Sequence, residues 1–495
     1  MKKLIYILLL TVSLFTLSCK KNLTDLNVNP NRPITVASET LFSNAAVNLS
    51  DLMAHTNVNY NNFRLFVQYW TETIYRDETR YNLNQRSIPD NWWAWLYRDV
   101  IRDLVEASRQ VDKEGLNAAE AKNRKAINDL LSVYSYYVLI TSFGDVPYTA
   151  ALDIDNTQPK YDKASDIYTA QLQLLNAALA SLDPSAGSYG GADFILGGDV
   201  AGWVKFGNSL KMKMGMLVAD SDPATGKTLV EQAAPNVVLS NSENIMMHFL
   251  SSPPNTNPVW EDLVQSGRHD FVAAKPFIDT LLAKNDGRIL SFFDRSISNG
   301  IFVGQRPGSR AAFNDFSSPS SANVANPASP FTYFSYSEME FYKAEAVERG
   351  FAVGGTAEQH YNNAIDASFM EWNVTDTVTV APKTAQELAL IYRSQPSVRY
   401  TTAQGDYKQK IGVQSWIAFY NRGYDAWTQW RRLDWPKLNL PSGAAPNFAS
   451  DETPEVIVRL TYPVVEQNLN KASYDAASGS IGKDRKTQRL WFDKF

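Results

Sequence analysis

Two tryptophan side chains are predicted on the polar side of an amphipathic helix. In the segment DNWWAWLYRDVIRDLVEASRQV, a rotation of about 100° per residue places Trp92 and Trp95 opposite an apolar stripe that begins at Trp93. An indole ring can stack on the C–H face of a sugar or on an apolar side chain. We interpret the pair either as a stacking surface for a ligand or as two rings covered by a neighbouring loop.

Aromatic and charged side chains also alternate in two loop-like segments, TETIYRDETRYNLNQ and NPVWEDLVQSGRHDF. The residues concerned are Tyr75, Arg76, Asp77, Tyr81, Trp260, Arg268, His269 and Asp270. Aromatic rings among bidentate hydrogen-bond donors and acceptors are typical of clefts that bind polyhydroxyl compounds or peptides. We therefore predict a ligand-binding role for these loops, with ordinary surface packing as the alternative.

The sequence contains no recognisable motif for catalysis, cofactor binding or metal binding. It lacks a G-x-S-x-G elbow, an H-E-x-x-H pair and a glycine-rich phosphate loop. The four histidines, which are His55, His248, His269 and His360, show no ligand spacing. Glycoside hydrolysis needs only two acids that meet in space, and 52 Asp and Glu residues do not single out a pair. We predict no catalytic residue, no cofactor and no metal site.

The single cysteine, Cys19, follows a segment that has the features of an export signal. Lys2 and Lys3 precede an apolar run over residues 4–18, which is too short to span a bilayer, and Ser18 supplies a small residue before the cysteine. We interpret residues 1–18 as a lipoprotein signal peptide and the thiol of Cys19 as the site of acylation. An ordinary signal peptide that happens to end near a cysteine is the alternative.

Composition and charge narrow the class of protein further. The formal net charge is −5 with a pI near 5.6, and it becomes −7 without residues 1–18, which carry two lysines and no acids. An acidic chain without basic runs is a poor partner for nucleic acid. With one cysteine, stability has to come from core burial and not from internal disulfides.

Periodicity predicts one helical body over residues 37–495, joined to the signal peptide by a tether over residues 19–36. Loop-rich insertions are predicted at about 230–335 and 384–410, and we expect them to form the ligand-facing half. The fold class is therefore mostly all-α.

Several predicted helices form consecutive pairs, such as SEMEFYKAEAVERG followed by TAEQHYNNAIDASFMEW. Small residues stand at the positions where two helices would approach each other, with large aromatic residues between them, as in irregular tetratricopeptide pairs. A further single helix is predicted over QSWIAFYNRGYDAWTQWRRL, with Trp416, Tyr420, Trp427 and Trp430 on one face.

Motifs along nearly the whole chain carry a resemblance to a known family. In order they are LTDLNVNPN, LITSFGDVPYTAAL, FIDTLLAKNDGRILSFF, SEMEFYKAEAVERG, YDAWTQWRRLDWPKL and VIVRLTYPVVEQNLNKASYDAA. Together they resemble the SusD/RagB family of outer-membrane lipoproteins, in its SusD-like subgroup. Some motif residues, notably Arg431, Arg432 and Arg459, we expect to be structural, since guanidinium groups satisfy buried carboxylates and helix ends.

The resemblance implies a function as well as a fold. Members of the family are helical, are anchored by a lipid on the outer face of the outer membrane, and cap a SusC-type TonB-dependent transporter. They bind glycans, or peptides in some branches, and they are not catalysts. The expectation is thus a glycan-binding nutrient-uptake lipoprotein. A peptide-binding member and an exported glycoside hydrolase remain as alternatives.

Overall fold

The computed structural model describes residues 36–375 and 382–495, and residues 38–495 form one compact unit. The predicted signal peptide, the acylation site Cys19 and residues 19–35 of the predicted tether lie outside the described residues. In the part of the chain that is described, no helix is both long enough and apolar enough to cross a membrane.

Helices dominate the architecture, as predicted. Those of nine or more residues are α1 (Ser38–Ala54), α2 (Arg102–Val111), α3 (Ala118–Phe143), α4 (Ala164–Ser181), α5 (Val200–Leu217), α6 (Pro223–Ala233), α7 (Lys275–Ala283), α8 (Tyr336–Glu348), α9 (Ala357–Glu371), α10 (Ala385–Ser394), α11 (Tyr407–Ala418), α12 (Gly423–Leu433) and α13 (Lys471–Ser480). Shorter α-helices cover Phe63–Phe66, Ile88–Ala94, Pro258–Trp260, Ile289–Phe292, Ser321–Val324 and Val464–Leu469. The π-helical segments are Trp95–Ile101 and Glu261–Gln265.

Short strands form three antiparallel pairs. The strands are β1 (Trp70–Glu72), β2 (Val146–Pro147), β3 (Tyr161–Asp162), β4 (Ile245–Met247), β5 (Phe271–Ala273) and β6 (Phe331–Phe334). Strand β1 pairs with β5, β2 with β3, and β4 with β6. Single 3₁₀ turns lie at Asn84–Arg86, Gly190–Ala192, Ala234–Asn236, Asn241–Glu243, Phe313–Asp315 and Ala445–Asn447.

Consecutive helices pack as pairs, α3 with α4, α5 with α6 and α8 with α9. The predicted close approach of α8 and α9 is confirmed, since Ala344, Ala346, Ala364 and Ala367 are fully buried. The hydroxyl of Ser337 donates to the carbonyl of Ala364 across the pair at 2.8 Å. Small side chains therefore let the two helix backbones approach, and the helical, tetratricopeptide-like fold class is confirmed.

The FGDVPY segment (residues 143–148) ends α3, and its aspartate contacts the first residue of α4. Gly144 adopts φ +91°, and a Cβ there would lie 3.0 Å from the side chain of Leu490. The next residue, Asp145, accepts a hydrogen bond from the backbone N–H of Ala164 at 2.9 Å, at the first residue of α4. A carboxylate at a helix N-terminus satisfies a free N–H group and the helix dipole. The motif is therefore structural.

The motif arginines are structural too, as predicted. Arg431 donates to the carbonyls of Thr141, at 2.6 Å, and Val458, at 2.9 Å. Arg432 pairs with buried Glu345 at 2.7 Å. In the C-terminal motif, Arg459 donates to the carbonyl of Phe143 at 2.8 Å and forms an ion pair with Asp484 at 3.0 Å.

A buried cluster of four charges joins α5, α8 and α12. Lys213 contacts Glu338 at 3.0 Å and also Asp425, while Arg422 lies 2.6 Å from Glu338 and 2.8 Å from Asp425. Burial by itself would lower the pKa of Lys213, but the two carboxylates outweigh it and raise that pKa. The cluster contains two cations and two anions, so its charges compensate each other inside the core.

The prediction of one helix over residues 414–433 is wrong. Helix α11 ends at Ala418, Asn421 takes the left-handed conformation with φ +68°, and α12 begins at Gly423. A Cβ at Gly423 would lie 2.5 Å from the backbone nitrogen of Arg64, so only glycine fits this approach. Tyr420 therefore lies in the connection and not on a common helical face.

The predicted loop-rich range 384–410 is wrong in part, because it contains α10. The helix begins with a capping box, in which Thr384 and Glu387 satisfy each other's backbone N–H groups. Within 230–335 the elements are short, and α7 is the longest that starts there.

Candidate ligand-binding face

Pairing of β1 with β5 brings the two predicted loops together. Glu72 is opposite Phe271 in the antiparallel register, and the N–H of Thr73 donates to the carbonyl of Asp270 at 2.9 Å. The chain leaves β1 into residues 73–77 and enters β5 from residues 266–270, so these two loops lie side by side. Two segments almost 200 residues apart in sequence thus meet at one end of a strand pair.

A third loop completes the surface. The N–H of Ala311 donates to the carbonyl of Thr73 at 3.1 Å, and the ring of Phe313 packs on the imidazole of His269 with centroids 4.7 Å apart. Residues 73–77, 266–270 and 308–314 are called the loop face below. Backbone hydrogen bonds join the three loops, so their backbones have a defined relative position.

The loop face presents an aromatic side chain to solvent. Tyr75 is 61% exposed and its neighbour Ile74 is 55% exposed. Exposed side chains of this size at a strand end are available to stack on a ligand. By contrast, Asp77 accepts hydrogen bonds from the backbone and side chain of Asn82, the latter at 3.2 Å, and so it stabilises a turn.

Several arginines lie on the same loops as the exposed tyrosine or next to them. Arg76 and Arg80 both donate to the carbonyl of Gly308, at 3.4 and 2.9 Å, and Arg310 is exposed in the same loop. Desolvation and the neighbouring guanidinium groups of Arg80 and Arg310 lower the pKa of Arg76. At the other side of the face, Arg268 donates to Asp270 at 2.5 Å. These groups offer planar hydrogen-bond donors beside the aromatic ring.

Beside the loop face lies a small polar crevice of about 60 Å³, lined in part by Arg86, Asp262, Arg268 and Asp270. Asp262 accepts a hydrogen bond from the hydroxyl of Thr56 at 2.8 Å. The crevice therefore joins the 260–270 segment to the turn after α1.

An aromatic cluster that contains Trp95 adjoins this crevice. The half-buried ring of Trp95 packs edge-on against Tyr60, with centroids 4.8 Å apart, and lies 6.0 Å from the imidazole of His55. The Nδ1 of His55 lies 3.2 Å from Asp262. Trp260, two residues before Asp262, ends the short helix Pro258–Trp260 and is half-buried. Trp95 and Trp260 are thus placed near the predicted site, but neither presents an open flat surface.

The prediction that Trp92 forms a stacking surface is wrong, because its ring is 0% exposed. Its indole N–H donates to the hydroxyl of Ser142 at 3.2 Å, and the ring packs on Phe63 at 4.9 Å. The helix lies between two parts of the core, so Trp92 and Trp93 are both buried on opposite sides. The π-helix that begins at Trp95 further shifts the helical phase on which the prediction depended.

Tyr81 is also incorrectly predicted as a ligand residue. It is fully buried, with φ +65°, and its ring lies against Phe66 at 5.8 Å and Phe448 at 6.1 Å. Its polar sequence context comes from the turn around it and not from exposure of the ring. Tyr81 is therefore part of the core and not of the loop face.

A buried carboxyl pair stabilises the base of the 73–77 loop. Glu72 accepts hydrogen bonds from the backbone and the hydroxyl of Thr79, both at 2.8 Å. Burial and the neighbouring carboxyl group of Glu78 raise the pKa of Glu72 well above its usual range. Arg86 contacts Glu78 at 2.7 Å. The protonated form of Glu72 therefore suits this site best.

Sequence reasoning missed Phe313, Arg310 and Tyr60 as members of this region. The first two lie in QRPGSRAAFNDF, where arginine and phenylalanine alternate with polar residues as in the two predicted loops. That shared pattern was the available signal. No group of three or more potential metal ligands occurs within residues 36–375 and 382–495.

Comparison with known proteins identifies the family. Residues 30–463 match the profile of the SusD-like family, which is described as starch-binding and associating with the outer membrane. No curated protein matches the sequence.

Solved structures share the fold over most of their length. A chitin-binding protein is 24% identical, with a TM-score of 0.76, over 92% of this chain and 100% of its own. A chitin-binding SusD homologue from Flavobacterium johnsoniae is 20% identical, with a TM-score of 0.74, over 92% of this chain and 98% of its own. A SusD homologue from Bacteroides uniformis is 22% identical, with a TM-score of 0.76, over 93% of this chain and 100% of its own. With the helical pairs and the family profile in agreement, the chain belongs to the SusD-like family.

Proposed function

We propose that the protein captures glycans on the loop face and delivers them to a SusC-type TonB-dependent transporter in the outer membrane. The observation that carries the proposal is the exposed ring of Tyr75 on the same loop face as the tilted ring pair His269–Phe313, with Arg76, Arg268 and Arg310 on the same three loops. Such a surface combines stacking on the apolar face of a sugar with hydrogen bonds to its hydroxyl groups. The family description as starch-binding agrees with this class of ligand.

The proposal includes an anchor and an orientation. Acylation of Cys19 after removal of residues 1–18 would hold the protein at the outer membrane, facing outward, as the lipoprotein signal in the sequence suggests. Cys19→Ser should release the protein from the membrane fraction without changing its melting temperature. External protease should degrade the anchored protein on intact cells if the orientation is correct, and the transporter should co-purify with it. Protection from external protease would contradict the outward orientation.

Binding is the only activity in the proposal, and affinity electrophoresis tests it. The purified protein is run in native gels that contain soluble starch, glycol chitin, xyloglucan or a peptide mixture, and the medium is assayed for released product. We expect retardation by a glycan. Tyr75→Ala should weaken it about 5- to 10-fold, since ring stacking contributes about 1–1.5 kcal/mol. Phe495→Ala, which removes another exposed ring, is the matched control.

Each alternative has its own result in this experiment. Retardation by peptides alone would favour a peptide-binding member of the family, and catalytic release of sugars would favour a glycoside hydrolase. Retardation by a glycan that Tyr75→Ala and Phe313→Ala both leave unchanged would show that the loop face is not the binding site.

A further inference from the structure

Three arginines lie close together near Gly308, at the edge of the loop face. Arg80 donates to the carbonyl of Gly308 at 2.9 Å and Arg76 at 3.4 Å, both from the segment that follows β1. Arg310 lies two residues after Gly308, and its positive charge acts on Arg76. Two separate loops thus bring three guanidinium groups together.

These three charges are not compensated by protein groups. Within residues 36–375 and 382–495, Arg76, Arg80 and Arg310 form no ion pair. Desolvation and the guanidinium groups of Arg80 and Arg310 lower the pKa of Arg76. The carboxyl groups of Asp77 and Glu72 act in the opposite direction, but the pKa stays below its ordinary value. Like charges at short distance repel each other, and a bound anion would remove this repulsion.

The acids of the same segment are engaged or neutral. Asp77 accepts a hydrogen bond from the side chain of Asn82 at 3.2 Å, and Glu78 pairs with Arg86 at 2.7 Å. Burial and the neighbouring Glu78 raise the pKa of Glu72 well above its usual range, which favours its uncharged form. The positive charge of the three arginines is therefore left for a ligand, in a protein whose formal net charge is −5.

Each arginine also has N–H groups that no described residue accepts. The Nε of Arg76 is shielded from solvent and has no hydrogen-bond partner among the described residues. In the same part of the chain, the Nη2 of Arg76 and both Nη atoms of Arg80 form no hydrogen bond. Arg310 is exposed and donates to none of the described residues. The planar fork of a guanidinium group matches the paired oxygen atoms of an oxyanion such as a carboxylate or a sulfate.

Arg80 is held in place before any ligand binds. Its Nε donates to the carbonyl of Ser442 at 3.1 Å as well as to that of Gly308. A Cβ at Gly443, where φ is +75°, would lie 2.9 Å from the guanidinium carbon of Arg80. Because this guanidinium group is already ordered, binding costs little of its conformational entropy.

We propose that Arg76, Arg80 and Arg310 form an oxyanion site, through which the loop face prefers an acidic polysaccharide, with carboxylate or sulfate groups, to a neutral one. The inference rests on the proposed function, because the arginines and Tyr75 belong to the same region of the surface. It goes further than the family description, since starch carries no charge. The site recognises the oxyanion and not the sugar ring that carries it.

Affinity electrophoresis with matched neutral and acidic polymers tests the inference. The pairs are soluble starch with carboxymethyl starch and dextran with dextran sulfate, and polyglutamate serves as an acidic peptide. We expect stronger retardation by at least one acidic polysaccharide than by its neutral partner. This difference should fall as the NaCl concentration rises from about 50 to about 300 mM, because salt screens exposed charges.

Variants of the arginines show whether this preference comes from the proposed site. Arg76→Gln and Arg310→Gln should each weaken binding of the acidic polymer about 5- to 10-fold, and by more than they weaken binding of the neutral one. Arg310→Lys keeps the charge and should retain more of the binding than Arg310→Gln. Arg399→Gln removes one exposed positive charge outside the loop face, so it is the matched control and should bind as wild type does.

Equal retardation by the acidic and the neutral member of both pairs would overturn the inference and leave the proposed function standing. Acidic binding that both glutamine variants leave unchanged, or that Arg399→Gln weakens as much, would also overturn it. Retardation by polyglutamate alone would overturn it in favour of an acidic peptide. Failure of the proposed function has a different signature, in which no polysaccharide of either kind is retarded.

Melting curves check that each variant is folded. If Arg76→Gln does not fold, Arg310→Gln decides, since the side chain of Arg310 forms no hydrogen bond or ion pair with the described residues.

Discussion

Replacement of Trp92 by alanine tests whether this ring belongs to the core or to a ligand surface. The side chain is fully buried, packs on Phe63 and Tyr424 with centroids 4.9 and 6.0 Å away, and bonds to Ser142. Alanine would leave a cavity in the core and a buried hydroxyl without its donor. We therefore expect a large loss of stability and no direct loss of ligand contacts.

The size of the effect follows from the buried area. A buried tryptophan removes about 150–250 Å² from water, or about 4–6 kcal/mol at about 25 cal/mol per Å². Large-to-small changes at buried aromatics cost about 3–5 kcal/mol, so about 4 kcal/mol is the expected value. The folded body spans residues 38–495. At about 2.1 cal/mol/K per residue its unfolding entropy is about 1 kcal/mol/K, which gives a melting temperature about 4 °C lower.

Thermal unfolding followed by calorimetry measures this shift, and affinity electrophoresis measures binding by the folded variant. Trp92→Phe keeps most ring contacts but loses the N–H, so its melting temperature should fall by only about 1–2 °C. Tyr75→Ala is the matched opposite, with an unchanged melting temperature and weaker binding. If Trp92→Ala melted within 1 °C of wild type and bound glycan more weakly, the assignment of Trp92 to the core would be refuted.

Three further predictions concern buried charges. His360 bonds to Glu340 at 2.8 Å; burial lowers the pKa of His360, but this contact outweighs burial and raises that pKa overall. The protonated imidazole therefore stabilises the fold below about pH 6.5, and this stabilisation is lost as pH rises through the pKa of the folded state. The melting temperature of wild type should exceed that of His360→Gln by more at pH 6 than at pH 9. Burial and the neighbouring Glu78 raise the pKa of Glu72, so its protonated form stabilises the fold and this effect falls as pH rises above about 4.3. Glu72→Gln should therefore have a higher melting temperature than wild type at pH 8 but not at pH 4. Lys213→Met removes one of the two cations that neutralise the buried carboxylates of Glu338 and Asp425. The free energy of unfolding should fall by about 3–5 kcal/mol, which lowers the melting temperature in calorimetry by about 3–5 °C. An unchanged melting temperature would contradict the buried cluster.

The local pattern determined the helices, but not which of their sides are exposed. Periodicity and small residues correctly predicted the α8–α9 pair, because the close approach of two helices requires small side chains such as Ala344 and Ala364, which are buried between them. The same reasoning failed at Trp92, because a helix packed on both sides buries polar and apolar faces alike. It failed again at residues 414–433, where the close approach of Gly423 to Arg64 breaks the helix.

The candidate site shows the same division. Aromatic and charged residues in polar loops were visible in the sequence, and so were the family motifs, because residue type and order are local properties. Only the tertiary structure decided that the loop of Tyr75 meets that of His269, that Phe313 joins them, and that Tyr81 is buried in the core. These contacts join segments far apart in the chain, and the free energy of strand pairing and core burial selects them. A cavity of about 300 Å³, lined by residues of α1, β6, α9 and the α11–α12 connection, is likewise invisible in the sequence, since separate elements pack to form it.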